Sequence, residues 1–186
     1  MTKLLSTEQM AEFANSGFLF FEGLIDEDIN KEFLNDIGHT DIDDVDNIQQ
    51  YFQNIKSSSS IPRIPAGTAL KDAYPLNSPL EKIFKNEIVS GAINSLVGSK
   101  TVVDHQFLHL TFPSKYYAKA NQRQMSQVNH QDSTIDPRTT FDIQLFYFPT
   151  AVTKEMGGTR YIPGTHLRIV NEMGIAKYQN IKGQKN

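Results

Sequence analysis

The sequence contains no cysteine, which excludes disulfides and thiolate metal sites. Any metal ion must therefore be held by His, Asp or Glu side chains. No apolar run reaches the ~18 residues that a membrane span requires, and the N-terminus turns polar after two leucines. A basic excess is also missing, because the formal net charge is -3, so we expect no nucleic-acid or membrane partner. The composition predicts a soluble cytoplasmic protein.

The chain has the composition of one folded domain. Its 186 residues include 12 Phe and 7 Tyr, which is enough apolar side chain for a sizeable core. No internal repeat and no shift in composition marks a second domain. We therefore predict a single domain over residues 1–186, helical to about residue 100 and built of β-strands from about residue 101.

Helical patterns occupy the first part of the chain. A capping box begins at Ser6, and Gly17 marks the end of the helix that it starts. Apolar residues at every fourth position predict a second helix that ends near Gly38. Between the two, the apolar stretch that begins at Phe18 predicts a short strand. The acidic run over residues 40–46 lacks the glycine turn and distal glutamate of a calcium loop and predicts a solvated helix start.

The clearest helical pattern begins at Ser78, where "SPLE" combines a capping serine, a first-turn proline and a glutamate. We predict one helix from there to Gly98, with a continuous buried stripe. Beyond Lys100 the period changes to two, so residues 101–112 and 140–150 are predicted strands. Helices followed by antiparallel strands favour an α+β arrangement or a β-barrel with helical flanks. The predicted stripe consists of Leu80, Ile83, Phe84, Ile88, Ala92 and Leu96.

A polar stretch between the predicted strands contains His130 and Asp132 on either side of one glutamine. On an extended segment the period of two places both side chains on the same face, where an imidazole and a carboxylate can share one cation. A facial triad of two histidines and one carboxylate needs a third ligand from another strand. The alternative is a surface loop in which Asp132 caps the following turn. The triplet alone leaves both interpretations open.

Three motifs follow one another along the chain. They are "STEQMAEFANSGFLFFEGLID" near the N-terminus, "NHQDS" around the His-Asp pair, and "FDIQLFYFP" followed by "MGGTRYIPGTHLR". In this order they resemble the phytanoyl-CoA dioxygenase family of Fe(II)/2-oxoglutarate-dependent oxygenases. The resemblance implies a double-stranded β-helix, which is a cupin-like jelly roll, with N-terminal flanking helices. It also implies His130 and Asp132 as iron ligands, 2-oxoglutarate as cosubstrate, and hydroxylation of a small-molecule substrate with O2.

The end of the chain departs from the pattern of the family it resembles. In that family a second ligand histidine lies on a later strand, and an arginine after it pairs with 2-oxoglutarate. This chain ends at "NIKGQKN" without such a strand. We therefore expect a C-terminally shortened member that lacks the third iron ligand and the cosubstrate arginine. A non-catalytic jelly-roll remnant or binding module stays open as an alternative to an active oxygenase.

Three polar residues are candidate contacts to 2-oxoglutarate. Thr111 lies where the family often places a polar or basic side chain toward the cosubstrate. Gln144 is a candidate from strand parity, because it falls on the face of its strand that could point into the pocket. Arg160 carries a guanidinium that can grip a carboxylate through two hydrogen bonds. Arg160 is equally typical of an exposed strand end.

Other histidines could complete a metal site. His166, in "IPGTH", matches a family position that is not an iron ligand, and we expect its ring to bond loop backbone. His105 and His109 lie four apart on a predicted strand and so share a face with Phe107. We expect the two rings either to lie at a barrel mouth, where neighbouring residues satisfy their polar atoms, or to bind a metal ion. Together with His130 they define a second alternative, a cupin-like metal-dependent hydrolase or isomerase.

Overall fold

The computed structural model describes residues 2–40, 46–58, 61–110, 142–153, 156 and 158–166. Within these residues the chain forms five α-helices and one two-stranded antiparallel sheet. The α+β class is confirmed, whereas the double-stranded β-helix stays a prediction. No helix in the described ranges is long and apolar enough to cross a membrane.

The described residues divide into two compact units. The first holds described residues of 2–6, 21–110 and 143–151, and its core contains Phe33, Ile55, Ile83 and Ile93. The second holds described residues of 7–20 and 152–166, together with Asp142. The single domain over residues 1–186 stays a prediction.

The first two helices confirm the pattern of the sequence. Helix α1 spans Thr7–Ser16 and helix α2 spans Glu27–Asp36. Gly17 follows α1 with φ 85°, and Gly38 follows α2 with φ 69°. Both glycines take the left-handed conformation that ends helices, because the missing Cβ removes its steric cost.

The predicted strand at Phe18 is wrong. Residues 18–24 form no strand, and Phe20 is 73% exposed. The ring of Phe18 instead packs on Tyr161 with 3.8 Å between ring centroids. A short apolar run becomes a strand only where another segment pairs with it, and none of the described strands does so.

Residues 41–45 of the acidic run lie outside the described residues, so the helix start predicted there stays a prediction, and a described helix begins after the run. Helix α3 spans Ile48–Lys56, and the side chain of Asn47 caps it by accepting a 3.0 Å hydrogen bond from Gln50 N. Tyr51 and Ile55 are buried on its inner face. The Oη atom of Tyr51 lies 2.7 Å from Nδ1 of His39, which joins the end of α2 to α3.

The prediction of one helix from Ser78 to Gly98 is wrong, because Asn86 divides it. Helix α4 spans Pro79–Lys85 and helix α5 spans Glu87–Val97. Asn86 adopts φ -52° and ψ 132°, and its side chain caps α5. The predicted stripe is confirmed only in part, because Ile83 is buried whereas its other five residues are half-buried. The most buried positions of α5 are Val89, Gly91 and Ile93 instead of Ile88, Ala92 and Leu96.

The sheet of the described residues is short. Strand β1, Thr68–Ala69, pairs antiparallel with strand β2, Val102–Val103. Beyond β2, residues 104–110 join no strand, and neither do residues 142–150, so the predicted strands are wrong in extent. An alternating pattern specifies which face is apolar but not which segment supplies the ladder partner.

Candidate functional site

Three of the five predicted site residues lie outside the described residues. They are His130, Asp132 and Thr111, and their roles stay predictions. Gln144 and Arg160 are described, and both are exposed. The part of the chain that the structure describes contains no group of three His, Asp or Glu side chains that could hold a metal ion.

The segment that follows β2 presents two different faces. Residues 105, 107 and 109 are exposed, and residues 106, 108 and 110 are half-buried. The ring of His105 stacks on Phe107 with 5.7 Å between centroids, and Phe107 lies 4.8 Å from the ring of His109. The shared face of the two histidines is therefore confirmed. We call His105, Phe107 and His109 the ring face.

One histidine of the ring face contacts a neighbouring carboxylate. The Nδ1 atom of His105 lies 2.7 Å from Oδ2 of Asp104, and both side chains are mostly exposed. An exposed ion pair contributes little to stability because water screens it. Asp104 and the two imidazoles do not form a cation site by themselves, as the absence of a three-residue group in the described segments indicates.

Gln106 lies on the opposite face and connects this segment to Pro62 and Tyr74. These contacts were not predicted from the sequence. The Oε1 atom of Gln106 accepts a 2.8 Å hydrogen bond from Tyr74 Oη, and its Nε2 donates to the carbonyl of Pro62. The Tyr74 ring stacks on Phe84 at 4.8 Å, and burial raises the pKa of Tyr74 to about 12. The available signal was a glutamine on the same face of the predicted strand as Leu108 and Leu110.

Residues 146–150 show the same alternation, which does not extend to Leu145, also exposed. Gln144, Phe146 and Phe148 are exposed, whereas Tyr147 between them is half-buried. The Oη atom of Tyr147 donates a 2.6 Å hydrogen bond to Asn30 Oδ1 on α2, and burial raises the pKa of Tyr147 to about 12. Gln144 is exposed and Tyr147 is half-buried, and the contact of Gln144 with 2-oxoglutarate stays a prediction.

His166 does not bond loop backbone through Nδ1, contrary to the sequence-based expectation. Its Nδ1 is buried and has no hydrogen-bond partner, and its ring packs against Gly17 and lies 6.3 Å from the ring of Phe13. The turn that carries it is held by the backbone N–H of Gly164, which donates a 2.8 Å bond to Ser16 O at the end of α1.

Arg160 precedes this turn. Its side chain is exposed, as one of the two interpretations expects, but it does not end a strand. The next residue, Tyr161, is anchored on Phe18. The backbone beside Arg160 is therefore held in place, and the residue as a whole is exposed.

The comparison with protein families gives one match. A family model described as Phytanoyl-CoA dioxygenase (PhyH) matches residues 13–184. The matched span includes His130 and Asp132, the three candidate cosubstrate contacts and the ring face. No curated protein and no solved structure matches the chain.

Proposed function

Because the chain belongs to the phytanoyl-CoA dioxygenase family, we propose that it is an Fe(II)/2-oxoglutarate-dependent oxygenase that hydroxylates a small organic substrate with O2. The observation that carries this proposal is the family match over residues 13–184, which contains the His-Asp pair. A double-stranded β-helix core belongs to the same proposal. A cytoplasmic location and the absence of nucleic-acid and membrane partners stay predictions from composition.

His130 and Asp132 are the residues that would hold the iron ion. An imidazole nitrogen and a carboxylate oxygen are donors that suit Fe(II). The chain has no cysteine, so no thiolate is present that would favour a different metal. Fe(II) bound with 2-oxoglutarate supplies the oxidising chemistry that O2 alone does not perform on a carbon centre. The protein contributes the orientation of the two ligands and a cavity that keeps water from the reacting atoms.

The candidate cosubstrate contacts differ in what supports them. Gln144 is supported by its exposed position in the segment that carries Phe146 and Phe148. Arg160 is supported by its charge and by the anchored backbone at Tyr161. Thr111 rests on the resemblance alone. A carboxylate such as those of 2-oxoglutarate is the ligand that the amide and the guanidinium would recognise.

Metal binding tests this function first. Calorimetric titration with Mn(II), a redox-stable substitute for Fe(II), should show weak binding that is lost when both His130→Ala and Asp132→Ala are introduced. The matched control is the double change His105→Ala and His109→Ala on the ring face, which should bind as the parent does. Binding that survives the first variant and disappears in the second would contradict our assignment and support the cupin-like alternative.

Turnover is measured separately. With Fe(II), O2 and 2-oxoglutarate, succinate formation above the level of iron alone would support the oxygenase, and the His130 and Asp132 variant should abolish it. Metal binding without succinate formation would support the non-catalytic binding module. Arg160→Ala should raise the 2-oxoglutarate concentration needed for half-maximal rate, and an unchanged value would remove Arg160 from the site.

A further inference from the structure

The N-terminal segment lies directly on helix α5 at a glycine. A Cβ atom placed on Gly91 would lie 3.1 Å from the backbone N of Leu4 and closer still to the carbonyl group of Lys3. The contact is therefore between backbone and backbone, in space that any side chain would fill. Gly91 is buried by this contact, in the middle of a helix where alanine is normally the better residue.

Two hydrogen bonds donated by main-chain N–H groups hold the segment in place. Lys3 N donates to Glu87 O at 3.0 Å, and Leu5 N donates to Ser95 Oγ at 3.0 Å. Ser95 Oγ in turn donates a 2.8 Å bond to Gly91 O. Alternate N–H groups of an extended chain point to the same side, so residues 3 and 5 both face the helix.

Side chains add little to this contact. Thr2, Lys3 and Leu4 are exposed, with Leu4 63% exposed, and only Leu5 is half-buried. Segments with few buried apolar contacts are those that open locally without global unfolding. The attachment thus depends on the space left by the missing side chain of Gly91, which we call the notch, and on two hydrogen bonds.

We propose that residues 2–5 form a releasable strap, seated in a notch of α5 that is created by Gly91 and closed by Ser95. The strap opens as a unit while α5 stays folded, which frees the chain ahead of α1. Helix α1 begins at Thr7, two residues beyond Leu5. This inference does not depend on the proposed reaction.

A spin label on the strap tests whether the notch holds it. The chain has no cysteine, so Leu4→Cys provides a single labelling site at an exposed position. The nitroxide should be immobilised in Leu4→Cys and become mobile in Leu4→Cys with Gly91→Ala. Asn94→Ala on the same helix is the matched control and should leave the label immobilised. Equal mobility with and without Gly91→Ala would overturn the proposal.

Hydrogen exchange tests whether the strap is releasable. The amides of Lys3 and Leu5 should exchange on the order of 100-fold or more faster than the amide of Ile93 in α5, because local opening exposes them alone. Ser95→Ala should accelerate exchange at Leu5 further and leave Ile93 unchanged. Exchange at Lys3 and Leu5 as slow as at Ile93 would mean that the segment opens only by global unfolding, which would overturn the strap.

The dependence of label mobility on protein concentration tests whether the strap binds the notch of its own chain. If the immobilised fraction of the label rises with protein concentration, the segment occupies the notch of a second copy, as in domain swapping. That outcome would overturn the intramolecular strap. A fraction independent of concentration supports it, provided that circular dichroism shows the same helical content for the parent and Gly91→Ala.

Discussion

Single atoms determine how the turn at residues 161–166 meets helix α1. Gly17 has φ 85°, and a Cβ there would fall 2.8 Å from Cβ of His166 and closer still to its Nδ1. Position 17 therefore excludes other residues for two independent reasons, its backbone conformation and the histidine ring. The second reason is invisible in the sequence, where Gly17 is explained as a helix terminator alone.

We expect Gly17→Ala to lower the free energy of unfolding by more than the roughly 1–2 kcal/mol of a left-handed alanine. The excess comes from the collision with His166. His166→Ala should cost less by itself and should partly rescue Gly17→Ala, since the smaller side chain leaves room for the new methyl group. Urea denaturation of both single variants and the double variant gives the coupling energy, and strictly additive effects would contradict the contact.

At the scale of elements, Asn86 acts as a joint between α4 and α5. Its Oδ1 accepts hydrogen bonds from Ile88 N at 2.9 Å and Val89 N at 3.3 Å, while its own N–H bonds to Lys82 O at 3.0 Å. The same residue thus ends one helix and begins the next. Without it, the apolar pattern would favour the uninterrupted helix that the sequence predicts.

Asn86→Ala should lower the free energy of unfolding by about 1 kcal/mol, the usual value of a lost N-cap. Asn86→Asp should retain most of the stability, because a carboxylate accepts the same bonds and suits the start of a helix. Asn94→Ala in the middle of α5 is the control and should have a smaller effect. Equal denaturation midpoints for Asn86→Ala and the parent would mean that the cap does not hold the joint.

At the scale of the whole molecule, two tyrosines join parts of the first unit that are distant in sequence. Tyr74 reaches Gln106, and Tyr147 reaches Asn30 on α2. Burial raises the pKa of both phenols to about 12, above the value of about 10 expected in the unfolded chain. The folded state therefore favours the neutral phenol, and its stability is linked to pH.

This stability should be fully present below pH ~10 and should be lost as pH rises toward ~12, because the unfolded chain releases these protons first. The combined variant Tyr74→Phe and Tyr147→Phe should be less stable near neutral pH but should lose less stability over this range. Tyr161→Phe, at an exposed position, is the control and should follow the parent. Urea denaturation at several pH values measures the free energy of unfolding of each variant. Parallel plots of this free energy against pH for all variants would exclude the linkage.

Part of the fold and part of the site could be predicted from local patterns. The ends of α1 and α2 follow from a capping box, a four-residue apolar spacing and two glycines, all within a few residues of one another. The alternation after β2 correctly placed His105 and His109 on one face. The extent of the strands could not be predicted, because a ladder requires a partner whose position depends on the whole chain.

The sequence by itself determined the α+β class, the first two helices and, through three ordered motifs, the family that the match over residues 13–184 establishes. Only the tertiary structure decided the break at Asn86, the packing of His166 on Gly17 and the seat of the N-terminal segment at Gly91. For His166 and Gly91 the physical reason is range. Helix signals act between residues three or four positions apart, whereas Gly91 meets Lys3 and Gly17 meets His166 only because the chain folds back on itself.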